Sequence, residues 1–352
     1  MTRIAIVGGG VAGLSAAAAL SADGHDVLLF EAEDHTGYHA SGRSAALFDE
    51  TYGNAVVRAL NAITGPALQR MGVLSPRGVL LVARAEDAAV FHENKFHIGA
   101  TDMTLRDAQR LVPILSQDVT HVAMHAGPTD IDTNAVLQHF AREARRNGAR
   151  IVTGACVTSV TPGHGLSVNA TDVPAEIVVN AAGAWADEVA AMAGASPLGL
   201  QPYRRSMARL PAPGGHDVRK WPMLLGAGET WYAKPDAGGL IVSPAEEDPA
   251  PPSDAWADDM VLAEGMARYE AHVSVPVTRV DANWAGLRTF APDRALVIGE
   301  DALSGFYWLA GQGGYGFQTC VAAADHLTAI VAGQPSPLGP RVTAALSPLR
   351  FS

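Results

Sequence analysis

The chain has 352 residues, a formal net charge of −11, and 48% hydrophobic against 17% charged residues. This composition supports a large buried core of roughly two domains, at about 150 residues each, and excludes a mostly disordered chain. Because the acidic balance repels phosphate backbones, we expect no nucleic-acid partner.

The first thirty residues predict a complete β-α-β unit. Ile4–Val7 is a continuous apolar run, which is typical of a strand that is buried on both faces. A helix is expected from about Gly10 to Ala22, with Gly24 at a left-handed cap. Val27–Phe30 predicts a second strand, and Glu31 stands at its end.

The turn of this unit carries a phosphate-binding pattern. Gly8, Gly10 and Gly13 have the G-x-G-x-x-G spacing, in which the glycines make the turn, admit a pyrophosphate and let the helix pack on the strand. The N–H groups at the start of the helix attract phosphate. Glu31 is placed to accept hydrogen bonds from ribose hydroxyls. The pattern predicts a dinucleotide site without distinguishing FAD from NAD.

Further elements follow along the chain. A weak helix is expected at 43–46, a strand at 79–82, helices at 105–111 and 134–147, and strands at 150–152 and 176–180. After residue 197 we expect antiparallel strands at 231–235 and 239–243, an exposed acidic loop at 246–255, a helix at 262–271, a strand at 307–310 and a helix at 316–331.

Metal, disulfide and membrane roles are not expected. Cys156 and Cys320 are too few for a disulfide framework, and no Cys or acid completes a metal set with the pairs His92/His97 and His121/His125. No apolar run approaches the 18 residues of a membrane span, and the first apolar run ends in glycines rather than a secretory signal. We therefore expect a cytoplasmic protein without an integral membrane segment.

Two further segments resemble those of the FAD-dependent D-amino-acid oxidase and dehydrogenase superfamily. Asn180–Trp185 is similar to its second flavin motif, and Gly311–Thr319 is similar to its C-terminal flavin segment. Within the superfamily, the sequence most resembles the D-arginine dehydrogenases. The stretches that carry this likeness lie at 37–46, 130–133, 197–206, 221–224, 234–238 and 284–288, and therefore run through nearly the whole chain.

The resemblance implies an α/β flavoprotein with FAD as cofactor. A Rossmann-like FAD-binding domain would comprise residues 1–78, 132–196 and 289–352, and a mixed, mainly antiparallel β-sheet domain that binds substrate would comprise 79–131 and 197–288. Cofactor contacts are expected from Gly8, Gly10, Val11, Ala12, Gly13, Glu31, Ala32, Arg43, Ser44, Ala45, Val157, Ala182, Gly183, Trp185, Gly313, Gly314, Tyr315, Gly316 and Gln318.

The resemblance also implies that a substrate carboxylate lies between Arg205 and Arg288. A guanidinium is permanently charged, and its planar fork matches a carboxylate. Arg204 and Arg209 are alternatives to Arg205, and pairing with a surface acid is the alternative role for each arginine.

Three further positions match the substrate site of the family. Tyr52, on a mobile lid loop, and Tyr232 would donate hydrogen bonds to the carboxylate, with packing as the alternative role. The backbone carbonyl of Gly314 would accept a hydrogen bond from the substrate amine.

The sequence departs from the D-arginine dehydrogenases at two positions. Leu47 replaces an active-site histidine of the lid, and Val79 replaces the glutamate that receives the basic side chain. Because a buried guanidinium without a carboxylate is costly, a neutral or apolar substrate side chain is expected. The substrate pocket would comprise Leu47, Phe48, Val79, Met223, Leu225 and Gln318.

The predicted reaction is oxidative deamination of a D-amino acid to the 2-oxo acid and ammonia, with hydride transfer from Cα to flavin N5. Oxidation of glycine, a secondary amine such as sarcosine, or a 2-hydroxy acid is an alternative. A nicotinamide-linked enzyme and a catalytically degenerate flavin-binding subunit are further alternatives. The sequence leaves open whether oxygen or a quinone accepts the electrons.

Overall fold

The computed structural model describes residues 1–351 as a mixed α/β protein. The helices are α1 (Val11–Ala22), α2 (Ala55–Met71), α3 (Ala88–Ile98), α4 (Leu105–Leu111), α5 (Thr133–Arg146), α6 (Ala186–Ala193), α7 (Asp259–Glu270), α8 (Gly316–Val331) and α9 (Gly339–Leu346). The strands are β1 (Arg3–Val7), β2 (Asp26–Phe30), β3 (Leu47–Phe48), β4 (Leu74–Pro76), β5 (Val79–Ala83), β6 (Thr101–Asp102), β7 (His121–His125), β8 (Thr129–Ile131), β9 (Arg150–Val152), β10 (Val157–Thr161), β11 (Gly165–Val168), β12 (Thr171–Pro174), β13 (Ile177–Asn180), β14 (Gln201–Leu210), β15 (Met223–Gly226), β16 (Tyr232–Asp236), β17 (Gly239–Ser243), β18 (Asp248–Pro249), β19 (Ala282–Phe290), β20 (Val297–Glu300) and β21 (Phe306–Ala310).

The first layer is a six-stranded sheet with the order β20-β21-β13-β1-β2-β9. All neighbours in it pair in parallel except β20, which runs antiparallel to β21. Because side chains alternate between the faces of a strand, Ile4 and Ile6 pack with α1, α5 and α8, whereas Ala5 and Val7 pack with α6 and the hairpin strands β10 and β11. The apolar runs of β1 and β2 are therefore covered on both faces, and the predicted β-α-β unit is confirmed.

The second layer is a nine-stranded sheet with the order β18-β14-β17-β16-β15-β5-β7-β6, in which β19 also pairs with β14. Most of its pairs are antiparallel, and β5 and β15 are a parallel exception. Helices α4 and α7 cover its outer face. The expected α/β fold class is confirmed; the expected domain limits stay a prediction, and β19 runs from 282 to 290 across one of them.

A small sheet, β3-β8-β4, joins the two layers through a buried ionic network. Lys234 of β16 donates from Nζ to the carbonyls of Ala45 and Ala46, each at 2.9 Å, and lies 2.9 Å from Asp130 Oδ1. Arg77 donates from Nε to the other oxygen of Asp130 at 2.7 Å. The segment before β3 is thus fixed to the nine-stranded sheet.

The helix expected at 43–46 is absent, because residues 44–46 have no regular secondary structure and lead directly into β3. Their carbonyls accept hydrogen bonds from Lys234 instead of from helical N–H groups. Helix α2 was not among the expected elements, and it contains Gly65 and Pro66 in its interior. Gly65 is needed because a Cβ there would lie 2.6 Å from the ring of Phe48.

The acidic stretch at 246–255 is not the freely exposed loop that was expected. The carboxylate of Glu246 accepts the backbone N–H of Ser206 at 2.5 Å, and Asp248 pairs with Arg204 through β18. Helix α7 also begins earlier than expected, because Asp258 caps it by accepting the N–H groups of the first turn. Among the described residues, no helix has both the length and the hydropathy that crossing a bilayer requires.

Candidate active site

A cavity of about 620 Å³ lies between the two large sheets. On one side it is lined by the carboxyl ends of β1, β2 and β13 and by the start of α1. On the other side it is lined by β5, β14, β15, β16 and β19 of the nine-stranded sheet. Ligands of α/β proteins bind at this edge of a parallel sheet.

The glycine turn after β1 is dictated by close backbone contacts. Gly8 has a φ of +106°, and a Cβ there would lie 2.5 Å from the carbonyl oxygen of Ala181. A Cβ at Gly13 would lie 1.9 Å from the carbonyl oxygen of Gly8, so only glycine lets α1 pack this closely on the strand. Gly13 therefore contributes through packing and does not line the cavity.

The start of helix α1 faces the cavity with free hydrogen-bonding capacity. Its N-cap is Gly10, which supplies no side-chain cap, and its first turn holds no acidic residue. Val11 donates its N–H to Ser41 Oγ at 3.0 Å. The positive end of the helix dipole is thus exposed to the cavity, which fits the pyrophosphate of a dinucleotide.

Glu31, at the end of β2, is 9% exposed and lines the cavity. Its two carboxylate oxygens accept the backbone N–H groups of Gly9 at 2.7 Å and Glu33 at 3.0 Å. Each carboxylate oxygen has more than one lone pair, so ribose hydroxyls can still donate to Glu31. The donor set of this end of the cavity therefore fits an adenosine half.

Arg43 differs from its expected role as a cofactor ligand. Its guanidinium donates to the carbonyls of Ala255 at 2.8 Å and Ala285 at 2.9 Å, and it pairs with the carboxylate of Asp254. The side chain lines the cavity, but these partners occupy its charged end. Arg43 therefore fixes the segment around Asp254 beside the cavity.

Arg205 and Arg288 reach the cavity from neighbouring strands. In the antiparallel pairing of β14 with β19, Arg205 lies opposite Gly286 and Arg288 lies opposite Tyr203. Arg205 is 8% exposed, and its pKa is lowered chiefly by burial and then by the positive charge of Arg288. A Cβ on Gly314 would lie 3.4 Å from Arg288 Cζ, so Arg288 lies against the backbone of that glycine. Two like charges held this close favour an anionic ligand.

Two glutamates that the sequence analysis assigned to an exposed loop lie behind Arg205. Glu247 Oε1 is 3.4 Å from Arg205 Nη2 and also accepts a hydrogen bond from Arg294 at 3.0 Å. Glu246 is half-buried, and burial raises the pKa of its carboxyl group. Arg205 therefore shares a single counter-ion with Arg294 and keeps positive charge for the cavity.

Tyr52 and Tyr232 line the same end of the cavity. Tyr232 is 6% exposed. Tyr52 is 40% exposed and lines the cavity, and burial among the surrounding protein atoms raises its pKa to about 12. Its ring packs edge-to-face on Tyr315 with centroids 5.6 Å apart. The Tyr52 phenol is therefore a protonated donor at neutral pH, and the hydroxyl of Tyr232 is a further hydrogen-bonding group at this end of the cavity.

The remaining predicted residues divide into those that line the cavity and those that do not. Leu47, Val79, Met223, Leu225 and Gln318 line it. Phe48 is a correction, because its ring packs against Gly65 of α2 and the core beneath it. Of the expected cofactor contacts, the residues that line the cavity are Gly8, Gly10, Val11, Ala12, Glu31, Ala32, Arg43, Ser44, Ala45, Val157, Ala182, Gly183, Trp185, Gly313, Gly314, Gly316 and Gln318, whereas Gly13 and Tyr315 do not.

Several cavity residues were missed by the sequence analysis. His125, Asp49, Met207 and Ile98 all line the cavity. His125 had been considered only as a metal ligand with His121, whose ring instead packs against Phe91 with centroids 5.4 Å apart. Within residues 1–351, no group of three or more His, Cys, Asp or Glu side chains is arranged to hold a metal ion. Period-two alternation along β7 could have placed His125 toward the substrate side, but it does not identify the partner.

Comparison with known proteins gives matches along nearly the whole chain. A family model described as FAD dependent oxidoreductase (DAO) matches residues 3–330. The chain is 27% identical over 368 residues to the tRNA 5-methylaminomethyl-2-thiouridine biosynthesis bifunctional protein MnmC of Caulobacter vibrioides, covering 99% of this chain and 57% of that protein. It is also 25% identical over 173 residues to hydrogen cyanide synthase subunit HcnC of Pseudomonas aeruginosa, covering 46% of this chain and 39% of that subunit. The chain thus spans little more than half the length of the MnmC proteins it matches.

Solved structures with the same fold cover this chain almost completely. L-proline dehydrogenase from P. horikoshii matches with a TM-score of 0.82 and 21% identity, over 99% of this chain and 97% of that one. Glycine oxidase from Geobacillus kaustophilus matches with a TM-score of 0.82 and 20% identity, over 99% and 98%. Iminodiacetate oxidase from Chelativorans matches with a TM-score of 0.81 and 21% identity, over 98% and 99%.

Proposed function

Because the chain belongs to the family of FAD-dependent oxidoreductases, we propose that it oxidises a small amino acid whose carboxylate is held between Arg205 and Arg288. The substrate proposed first is a D-amino acid with a neutral or apolar side chain, which is deaminated to the 2-oxo acid and ammonia. FAD is the cofactor of this family, and when bound it supplies the electron acceptor for the reaction.

The observation that carries the proposal is the pair of guanidinium groups at one end of the cavity. Arg205 has one shared counter-ion, Glu247 at 3.4 Å, and the described residues place no carboxylate within 4 Å of Arg288. A substrate carboxylate would relieve the repulsion between these two cations and accept bidentate hydrogen bonds. A carboxylate that is held at two points also fixes the direction of its α-carbon. Holding the reacting atom in the right orientation lowers the barrier to the reaction.

The other side chains contribute orientation and exclusion of water. The hydroxyls of Tyr52 and Tyr232 line this end of the cavity and can donate to the same carboxylate. The backbone carbonyl of Gly314, beside Arg288, is an acceptor for the substrate amine. Gln318 is 2% exposed, and its Nε2 has no hydrogen-bond partner among residues 1–351, so it is a further donor for a polar ligand atom.

The side-chain preference is supported by the composition of the adjoining wall. Leu47, Val79, Met223, Leu225 and Ile98 give this wall an apolar surface. An apolar substrate side chain gains the transfer free energy of burial there, whereas a guanidinium would be left without a carboxylate partner.

A second candidate is a secondary amine that carries a carboxylate. Its support is the likeness to L-proline dehydrogenase and iminodiacetate oxidase, whose names specify secondary amines with carboxylates. Both candidates use the same arginine pair, and they differ in the substituent on the nitrogen.

An anaerobic screen tests the proposal. The FAD-loaded protein is mixed with D- and L-amino acids, glycine, sarcosine, proline and 2-hydroxy acids, and bleaching of the visible flavin bands is followed. We expect fast bleaching with neutral D-amino acids, and a preference for sarcosine or proline would favour the second candidate. If no carboxylate bleaches the flavin, the proposal is refuted. If only 2-hydroxy acids bleach it, the protein oxidises a hydroxy acid and not an amino acid. Reoxidation by oxygen or by a quinone then separates an oxidase from a dehydrogenase.

A further inference from the structure

A histidine and a carboxylate meet at one wall of the cavity. His125 ends strand β7, and Asp49 follows directly after β3. His125 Nε2 lies 3.3 Å from Asp49 Oδ2, and the two side chains are only 17% and 16% exposed. The contact joins the nine-stranded sheet to residues 49–54, the segment that we call the Tyr52 loop.

Asp49 organises the Tyr52 loop from within. Its Oδ1 accepts the backbone N–H and the hydroxyl of Thr51 at 2.9 and 2.8 Å, and its carbonyl accepts the N–H of Tyr52 at 3.2 Å. Its own N–H donates to Gln318 Oε1 at 3.5 Å. One carboxylate oxygen thus shapes the loop, and the other is left for His125.

The other polar contacts of the loop come from the side of α2 and α8. Asn61 of α2 is fully buried, and its Nδ2 donates toward the carbonyls of Asp49, Glu50 and Tyr52 at 3.3, 3.4 and 3.1 Å. Among the described residues, the polar contact between this loop and the nine-stranded sheet is the one made by His125. Without it, the loop would be anchored on one side of the cavity alone.

We propose that His125 and Asp49 are a positioning pair that fixes the Tyr52 loop across the cavity and so sets the place of the Tyr52 hydroxyl. His125 is the partner of Val79 in the β5–β7 ladder, on the apolar wall of the cavity. A polar contact between mostly buried side chains is stronger than an exposed one because the local dielectric is low, so its loss frees the loop measurably. The effect on catalysis rests on the proposed function, whereas the effect on the loop does not.

The first test measures amide hydrogen exchange in residues 49–54 of the FAD-bound protein. We expect exchange about three- to tenfold faster in His125→Asn and in Asp49→Asn than in the wild type. Asp49→Asn keeps an oxygen that can accept from Thr51. If His125→Asn does not fold, Asp49→Asn still tests whether the contact with His125 holds the loop. The control is His121→Asn on the same strand. The Nδ1 of His121 contacts Thr120, and its ring lies outside the cavity. Wild-type exchange in Asp49→Asn, or equal acceleration in the control, would overturn the proposal.

The second test separates positioning from direct contact, with D-alanine as the probe and anaerobic flavin reduction as the readout. We expect His125→Asn to raise the half-saturating D-alanine concentration about three- to tenfold with the limiting rate nearly unchanged. The same substitution should have no further effect in a Tyr52→Ala background, because His125 acts through that tyrosine. A full effect in that background would mean that His125 touches the substrate, and the positioning role would be wrong. If the wild type reduces its flavin neither with D-alanine nor with any other compound of the screen, the proposed function fails, and the exchange result still decides the loop contact.

Discussion

Arg205 and Arg288 occupy diagonal positions on adjacent antiparallel strands, so their side chains leave the same face of the sheet. Arg288 is the partner of Tyr203, and Arg205 lies two residues further along β14. Diagonal neighbours of this kind lie roughly 7–8 Å apart at the backbone, within reach of long side chains. The sheet therefore holds two cations at a separation that suits one bidentate anion.

Arg288→Met removes one of these cations while preserving much of the side-chain volume. We expect kcat/KM for the best substrate of the screen to fall at least about 100-fold, since losing one partner of a buried ionic contact costs about 3–5 kcal/mol. FAD content, read from the visible absorbance, should remain at the wild-type level. Arg209→Met is the control, because Arg209 lies on β14, pairs with Asp236 and does not line the cavity. If Arg288→Met turns over at a near-normal rate, Arg288 does not bind the substrate.

Val79→Glu tests the interpretation of the apolar wall. A carboxylate at this position, which is 6% exposed and lines the cavity, would pair with a substrate guanidinium. We expect the ratio of kcat/KM for D-arginine to that for D-leucine to rise at least about tenfold. Val79→Gln has nearly the same shape without the charge and should leave the ratio low. If the two variants change the ratio equally, charge at this wall does not govern specificity.

Lys234→Met tests the ionic network between β16 and the segment before β3. The variant leaves the carbonyls of Ala45 and Ala46 without their donor, although Asp130 keeps Arg77. We expect the free energy of unfolding to fall by about 2–4 kcal/mol, and the urea midpoint to fall with it. Lys220→Met alters an exposed lysine and should change the free energy by less than about 0.5 kcal/mol. If Lys234→Met lowers the free energy of unfolding no more than Lys220→Met does, the ionic network does not stabilise the fold.

His326 of α8 gives a pH-dependent prediction. It is fully buried, and burial lowers its pKa to about 4, whereas an unfolded histidine titrates near about 6.5. Between these pH values the unfolded state binds a proton that the folded state does not. The contribution of neutral His326 to stability is therefore intact above about pH 6.5 and is lost as the pH falls toward 4. The difference between the two pKa values lowers the free energy of unfolding by about 2 kcal/mol at pH 5, relative to neutral pH.

The measurement for His326 is urea unfolding of the wild type and of His326→Gln at pH 7.5 and pH 5. Glutamine does not titrate, and it retains a polar group near Ser336, whose hydroxyl lies 2.7 Å from His326 Nδ1. We expect the drop in unfolding free energy between the two pH values to be about 2 kcal/mol smaller in the variant. An equal drop in both proteins would show that other groups control acid sensitivity.

Local patterns predicted the elements of the FAD half because their causes are local. Gly8 and Gly13 are required by contacts with β1 and its neighbours, and the spacing alone reveals that requirement. Helix α2 was not predicted, and its Gly65 serves a tertiary contact with Phe48 that no local pattern reveals. The same contact turns Phe48 away from the pocket where its sequence position suggested it.

The substrate end depended on pairings between distant segments. The register that aligns Arg205 with Gly286 joins strands that are far apart in the chain, and the resemblance, not the spacing, suggested Arg205 and Arg288. The position of Glu247 behind Arg205 and the contact of His125 with Asp49 are likewise consequences of tertiary packing. No local propensity marks such residues, since their side chains are ordinary for the loops and strands that carry them.

Segments 8–12 and 313–318 are far apart in the chain yet line the same cavity, and this orders events during synthesis. Residues 8–12 emerge from the ribosome early, but β21 must pair with β13, and Gly313–Gln318 must follow, before the cavity has its last wall. A nascent chain therefore cannot enclose the flavin until Gly313–Gln318 have been synthesised and folded. Flavin loading must follow the synthesis of this segment, and chains truncated before α8 should emerge colourless.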